Sequence, residues 1–387
     1  MSTLRKRVAI AAAAVAAVVL CAPLAGAQAV ASAPPGGLKD VFRGDFLVGA
    51  ALAPRQFMER DTASAALIRR EFNAISPENV LKWESVHPAP DRYDFAPSDA
   101  YVAFGERNGM FILGHTLVWH SQVPRWVFQD ADGKPLDRER LLARMKAHID
   151  TVVGRYRGRI DGWDVVNEAL NEDGTLRQSP WMRIIGPDYI AKAFEYAHAA
   201  DPAAELYYND YSLENPAKRA GAVRLVRSLL DRGIPVHAVG NQEHLKLNSP
   251  SATAVDSTIR AFAALGVKMN VSELDIDVLP PVIRGAGADV SARGRPSAAL
   301  NPYTAGLPDS VQEALTARYV DLFRVYLANK DAIERVTFWG VADGDSWLNG
   351  WPVPGRTAYP LLFDRQLTPK PAYDRVRALA RDSHPTP

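Results

Sequence analysis

Trp163-Asp164-Val165-Val166-Asn167-Glu168 is a short β-branched and aromatic run that stops at an amide and a carboxylate. Lys268-Met269-Asn270-Val271-Ser272-Glu273 repeats that pattern later in the chain. Runs of this kind read as strands, because branched and aromatic side chains fit a pleated, buried surface. Working outward from these two, the predicted strands are Phe46–Ala53, Phe72–Pro77, Phe111–Leu117, Ile160–Val166, Glu205–Tyr208, His237–Gln242, Lys268–Glu273 and Arg335–Trp339. Helical spacing fills the intervals. Asp188–Ala199 sets Ile190, Phe194 and Ala197 on one face behind the start signal Pro187. Ser310–Asn329 does the same with Val311, Leu315, Tyr319, Leu322 and Tyr326, with Asp309 as candidate N-cap. Eight strands alternating with helices predict an α/β fold, a (β/α)8 TIM barrel in a single domain. The runner-up is a doubly wound open sheet. Its phosphate fingerprints, G-x-G-x-x-G and G-x-x-x-x-G-K-[ST], do not occur.

The 387 residues include 45 Lys+Arg and 44 Asp+Glu, a net charge of +1, with 47% hydrophobic and 23% charged residues. This is ordinary globular composition. It excludes a disordered tail protein, a collagen and a disulfide-stapled miniprotein. A charge so near zero gives no basic field, so no nucleic-acid partner is expected.

Arg5, Lys6 and Arg7 precede an uninterrupted apolar run from Val8 to Leu20. Small residues then follow at Ala25-Gly26-Ala27, with Ala27-Gln28-Ala29 as the rival cleavage site. This is the layout of a secretory signal peptide, and the run is short for a span of about 20 residues. Secretion or periplasmic localisation is expected, with no membrane attachment after cleavage. Removal of those three cations, with no acid among them, takes the net charge from +1 to −2. The single cysteine, Cys21, leaves too. Thiol nucleophiles, thiolate ligands and disulfides are then excluded, and catalysis falls to carboxylates, histidines, hydroxyls or a non-thiolate metal. The expected organisation is signal peptide 1–27, spacer and lead-in 28–45, barrel 46–380 and tail 381–387. The spacer is rich in Ala, Pro, Gly and Ser around 30–37, and Gly285 to Pro296 reads as a surface loop.

In a parallel barrel the chemistry sits at the C-terminal ends of the strands. Polar residues recur there: Glu78, Asn79 and Lys82; His115, Trp119, His120 and Gln122; Asn167 and Glu168; Asn209, Asp210 and Tyr211; Gln242 and His244; Glu273 and Asp275; Trp339 and Trp347. A lone glutamate at a strand end is ordinarily a solvated rim residue or half of an ion pair. Two of them closing apolar strands, facing one cleft, suit glycoside hydrolysis, where one carboxyl stays protonated and the other charged. No G-x-S-x-G elbow and no His-Glu-x-x-His occurs, so neither a serine hydrolase nor a metal site is expected. His115 and His120 differ by an odd number and on one strand would face opposite ways. Asn270-Val271-Ser272 is a glycosylation sequon within a predicted buried strand. Trp83 and Trp163 read as core.

These residues resemble glycoside hydrolase family 10, the retaining endo-β-1,4-xylanases, from about Phe46 to Tyr373. The resemblance is carried by Glu78-Asn79-Val80-Leu81-Lys82-Trp83, Gly114-His115-Thr116-Leu117-Val118-Trp119-His120-Ser121-Gln122, Trp163 to Ala169, Tyr208-Asn209-Asp210-Tyr211, Ser272-Glu273-Leu274-Asp275-Ile276 and Phe338-Trp339-Gly340. It implies Glu168 as acid/base and Glu273 as nucleophile. It implies Asn167 on the 2-hydroxyl of the sugar at subsite −1, which His115, Trp119, Gln242, His244 and Trp339 would line. Glu78, Asn79, Lys82, Gln122 and Trp347 would hold sugars at −1 and −2, and Tyr211 would lie toward the leaving group. Asp275 would orient His244 on the nucleophile, with Asn209 beside it. The implied substrates are xylan and xylo-oligosaccharides, with no cofactor or metal and a monomeric chain. A β-1,4-glucanase, a xylan-binding barrel and a transglycosylase remain the alternatives. Leu81 and Ser272 stand where the family commonly has Met and Thr, and Pro280–Pro308 is extended. Glu243 stands between Gln242 and His244, where a small residue is common, and strand alternation predicts that it turns away from the site.

Overall fold

The computed structural model describes residues 36–281 and 293–383, with side chains to 380. The expected signal peptide, most of the spacer, positions 285–292 of the expected loop and the end of the tail lie outside these residues. Among the described residues nine strands form: β1 (Leu47–Leu52), β2 (Ala74–Pro77), β3 (Phe111–Val118), β4 (Gly162–Asn167), β5 (Glu205–Asp210), β6 (Ala238–Asn241), β7 (His244–Lys246), β8 (Lys268–Asp277) and β9 (Arg335–Phe338). Each pairs in parallel with its neighbour from β1 to β6. The sheet then closes through β6–β8, β8–β9 and β9–β1. The result is a closed eight-strand (β/α)8 barrel. Closure removes the edges of the eight barrel strands and puts their C-terminal ends at one rim.

Helices return the chain from that rim to the start of the next strand. Several begin at a residue whose side chain accepts from an orphan backbone N–H: Asp61 from Ser64, Asp137 from Arg140, Asn215 from Ala217 and Ser251 from Ala254. The two helices read from sequence appear as Tyr189–Ala200 and Asp309–Ala328. Pro308 takes the cap position of the second, so Asp309 lies inside its first turn. Asp188 sits at the first helix's cap, but its carboxylate turns to Arg138 at 2.8 Å instead of capping.

Two sheet features differ from the sequence reading. β8 does not stop at Glu273; it keeps alternating through Leu274, Asp275, Ile276 and Asp277, all buried. β7 was not expected. It is three residues long and pairs only with this extension, His244 beside Asp275 and Lys246 beside Asp277. Trp83 and Trp163 are core, as read: Trp83 stacks on His148 at 3.6 Å, and Trp163 has no exposed surface. Asn270 and Ser272 are buried, so the sequon is inaccessible.

Gly114 and Trp163 illustrate how tightly β3 and β4 are matched. A Cβ on Gly114 would stand 2.2 Å from the Trp163 ring. The ring is fully buried in the core, so it can yield only by displacing its neighbours. Gly114→Ala is therefore expected to cost about 1–3 kcal/mol in chemical denaturation, the usual penalty of overpacking. An unchanged unfolding midpoint would show that the contact yields freely.

Candidate active site

β8 delivers Glu273 to the rim with 5% of its surface exposed. Asn209, from β5, donates its amide N–H to Glu273 Oε1 at 2.8 Å. His244 Nε2 lies 3.2 Å from Oε2, and its Nδ1 lies 3.0 Å from Asp275 Oδ2. Asp275 also accepts the Trp347 indole N–H at 2.7 Å. Burial disfavours a charged His244, but the Asp275 carboxylate and then Glu273 overcome it and push the imidazole up to about 10. His244 is an imidazolium at neutral pH. Burial also acts against a charged Glu273, the largest single effect on it. The bond to His244, the fields of His115 and His244 and the Asn209 amide together outweigh burial and hold Glu273 below the usual carboxylate range.

Glu168, just past the end of β4, is equally buried and goes the other way. Burial first, then the charge of Asp210 and finally that of Glu273 push it up to about 7. Two donors oppose the rise: Gln242 Nε2 on Oε1 at 3.0 Å and the Trp119 indole on Oε2 at 2.9 Å. His120 Nδ1 stands 4.0 Å away from Oε2. His115 also belongs to this cleft, with Nδ1 2.9 Å from Asp164. The two histidines therefore serve one site, because β3 ends at Val118 and strand alternation no longer separates them.

Asn167 connects the two carboxyls. Ser272 donates to Asn209 Oδ1 at 2.6 Å, so Asn209 must present its NH2 to both Glu273 Oε1 and Asn167 Oδ1, the latter at 2.9 Å. Gln242 donates to the same Asn167 oxygen at 3.3 Å. The Asn167 amide is thus held between Asn209, Gln242 and the Trp119 indole, at the mouth between the two carboxyls.

The flanking polar group forms around Lys82. Its ammonium donates to Asn79 Oδ1 at 3.1 Å and to Gln122 Oε1 at 2.8 Å, and lies over the Trp119 ring at 5.1 Å and the Trp339 ring at 6.0 Å. Gln122 donates onward to Asn79 and Glu84. Burial lowers the Lys82 pKa against the field of Glu273, Glu78, Glu168 and Glu84. Burial raises Glu78 against Lys82 and Arg55. Glu78, Trp339 and Trp347 share a recess with Gln56 and Asp345. Trp339 meets the His115 ring edge-on at 5.5 Å. Trp347 stacks on Trp351 at 4.7 Å and 14°. On the Glu168 side, Tyr211 accepts from Arg177 at 2.9 Å, and Arg177 also donates to the Glu168 carbonyl at 3.0 Å.

The polar and aromatic residues named at the strand ends, from Glu78 to Trp347, gather around this cleft. Glu243 is buried away from the cleft, as expected, though a left-handed φ of 56° turns it and not plain alternation. Sequence reading gave no role to Asp210, Lys218, Asp164 or Arg177. Asp210 pairs with the fully buried Lys218 at 3.0 Å. Lys218 in turn sits over the Tyr211 ring at 3.3 Å. The signal was present in Asn209-Asp210-Tyr211, but a helix lysine pairing with Asp210 has no local spacing to mark it. Among the described residues, no group of three His, Cys, Asp or Glu side chains is placed to hold a metal ion.

One buried carboxyl held near-neutral and another held ionised, in one aromatic-walled cleft, is an arrangement for acid-assisted displacement at a glycosidic carbon. The comparisons agree. The family model for glycosyl hydrolase family 10 matches residues 37–379. Endo-1,4-beta-xylanase A of Xylanibacter ruminicola is 47% identical over 88% of this chain and 92% of its own length. Beta-1,4-xylanase of Dictyoglomus thermophilum is 40% identical over 87% and 89%. A solved family 10 endoxylanase from a sugarcane soil metagenome superposes with a TM-score of 0.85 at 47% identity, covering 89% of this chain and 99% of that one. The carboxyl pair thus sits in the framework that these enzymes share, and the chain belongs to glycosyl hydrolase family 10.

Proposed function

We propose that this protein is a retaining endo-1,4-β-xylanase, with Glu273 as nucleophile and Glu168 as acid/base. The observation that carries the reading is the opposed state of two carboxyls in one cleft: Glu168 pushed up to about 7, Glu273 held below the usual range. In the first step a Glu273 oxygen attacks the anomeric carbon, and the glycosidic C–O bond breaks. The Glu168 proton goes to the leaving oxygen, and a glycosyl ester remains on Glu273. In the second step Glu168, now a carboxylate, takes a proton from water. That water displaces Glu273 from the anomeric carbon and restores both groups. Asn167, between the two carboxyls, suits a 2-hydroxyl at subsite −1, a bond that strengthens as oxocarbenium character develops.

Asn79, Lys82, Gln122 and Glu78 supply hydrogen bonds to sugar hydroxyls at −1 and −2, while Trp119, Trp339 and Trp347 supply flat walls. His115, Gln242 and His244 complete subsite −1, and Tyr211 faces the leaving-group side. Trp347 is held from two directions, by Asp275 and by Trp351. A wall so fixed favours xylose, which lacks the exocyclic CH2OH of glucose, over a cellulose chain. The export-type N-terminus supports secretion or periplasmic localisation, with the mature chain acting as a monomer free of the membrane.

The deciding experiment is hydrolysis of xylan by the mature protein, with the first-formed anomer followed by NMR. Release of xylo-oligosaccharides as β-anomers is expected, and α-anomers would exclude double displacement. Xylopentaose should exceed cellopentaose in kcat/KM by more than the roughly 10–200-fold that mere tolerance of an extra group allows. Comparable values would point to a glucanase.

Glu273→Ala should abolish turnover on every substrate in a folded protein. Glu168→Ala should cripple xylan hydrolysis yet spare glycosylation from an aryl xylobioside with a good leaving group, giving a burst. Equal loss on both substrates with no burst would remove Glu168 from the acid role.

The pH profile follows from the same two groups. Activity requires Glu168 protonated, so kcat/KM should fall as pH rises through about 7. It requires Glu273 ionised, so the acid limb should lie below the ordinary carboxylate range. A Glu168→Ala variant on the activated substrate should lose the alkaline limb near 7 in kcat/KM; a retained limb would assign it to another group.

A further inference from the structure

We infer that Glu243 is a positioning residue for both reacting carboxyls, acting from behind the barrel wall. This goes beyond the proposed function and rests on its assignment of Glu168 and Glu273. The residues on either side of Glu243 reach different carboxyls: Gln242 donates to Glu168 and His244 lies against Glu273. Both are carried by the junction where β6 ends and β7 begins. The turn that joins them is Glu243 itself, in a left-handed conformation (φ 56°) that a side chain disfavours.

The backbone of this turn is tied directly to the nucleophile's strand. The Gln242 carbonyl accepts from the Glu273 N–H at 3.0 Å, and the Glu243 carbonyl accepts from the Asp275 N–H at 3.3 Å. Any rotation at position 243 therefore moves Gln242, His244 and the register of Glu273 together.

The Glu243 side chain fixes that rotation. It is 1% exposed and points outward from the cleft. Tyr326, on the helix Asp309–Ala328, donates to its Oε2 at 2.5 Å. Asn241 Nδ2 donates to its Oε1 at 3.1 Å and to Glu214 Oε1 at 2.7 Å. The groups facing it are thus Tyr326, Asn241, Glu214 and, at longer range, Arg318. Burial and then Glu214 push Glu243 up to about 8, against the bonds from Tyr326 and Asn241, so at neutral pH it is mostly the neutral acid. A neutral carboxyl is a donor as well as an acceptor and ties the turn to the outer helix without adding a second buried charge behind Glu273. A glycine at this position would accept the φ and leave the turn unanchored.

The test uses kcat and KM of the full mature enzyme on xylan and on an activated aryl xylobioside, measured well below the melting temperature. Glu243→Ala and Glu243→Gly should each lower kcat about tenfold or more on both substrates, with KM within about threefold, because misplacement of a reacting group by about 1 Å costs up to 100-fold. Loss on the activated substrate separates this from a defect in Glu168 alone. Glu243→Gln, which mimics the neutral acid, should restore most of kcat. Tyr326→Phe should lower kcat in the same direction, and combining it with Glu243→Ala should add little.

Full kcat in Glu243→Gly would show that only the backbone conformation matters and would overturn the inference. So would a Glu243→Ala enzyme that melts earlier but keeps kcat, KM and pH profile within twofold. Glu273→Ala is run alongside. If it is inactive while Glu243→Ala is normal, the Glu243 inference fails alone. If Glu273→Ala turns over, the underlying reading fails and takes this inference with it.

Discussion

Glu273 must stay ionised with 5% of its surface in contact with solvent, and the rest of the site is arranged around that requirement. Burying a bare carboxylate carries a penalty of several kcal/mol even after relaxation, enough to neutralise it. Here the penalty is met by a full charge, not by dipoles alone. His244 is kept protonated by Asp275, and it stands 3.2 Å from the carboxylate. The Trp347 indole then satisfies Asp275. Removing His244 would leave the buried Glu273 and Asp275 without the cation they share, so the chain from Trp347 to Glu273 acts as one unit.

The barrel makes this possible because eight parallel strands end at one rim, but the rim is not built from relaxed backbone. Six non-glycine residues among those described have left-handed φ: Glu59, Gln122, Glu168, Ser212, Glu243 and Leu367. Four of them, Gln122, Glu168, Ser212 and Glu243, lie at or beside the cleft. Each is disfavoured by about 1–3 kcal/mol unless its surroundings hold it. At Glu168 the Arg177 bond to the backbone carbonyl and the Tyr208 hydroxyl on the Ala169 N–H, at 3.0 and 3.2 Å, supply that hold. At Glu243 the side chain itself does so. The exceptional conformations occur where a strand has ended and the chain must aim a side chain rather than continue a ladder.

What could be read from sequence follows the same division. Strand alternation and the abrupt polar ends of apolar runs exposed the barrel and both glutamates, because these are local patterns. The extension of β8 past Glu273 was missed because a charged residue read as a strand end, although Leu274 and Ile276 continue the period inward. β7 has three residues, too few to show a period, and exists only because that extension offers it a partner. The resemblance supplied the roles of His244, Asp275 and Asn209. It gave no role to Asp210, whose effect on Glu168 depends on through-space distance and on its pairing with Lys218, on the following helix. Buried charge pairs between a strand end and a helix carry no spacing rule, so chemistry tuned by them is invisible until the fold is known.

That tuning alters how the acid/base cycle is understood. If Glu273 alone raised Glu168, esterification of the nucleophile would remove the whole elevation, and Glu168 would swing freely from acid to base. The contributions are ordered otherwise: burial first, Asp210 next, Glu273 last among those that raise it. Burial by the protein and the Asp210–Lys218 pair persist through both steps, since neither touches a reacting atom. Only the Glu273 contribution switches off. Esterification of Glu273 therefore lowers the proton affinity of Glu168 and favours its role as base toward water, while burial and Asp210 continue to raise it through both steps. The reduced field of Glu273 is a bias on that equilibrium, and the permanent surroundings of Glu168 set where it is centred.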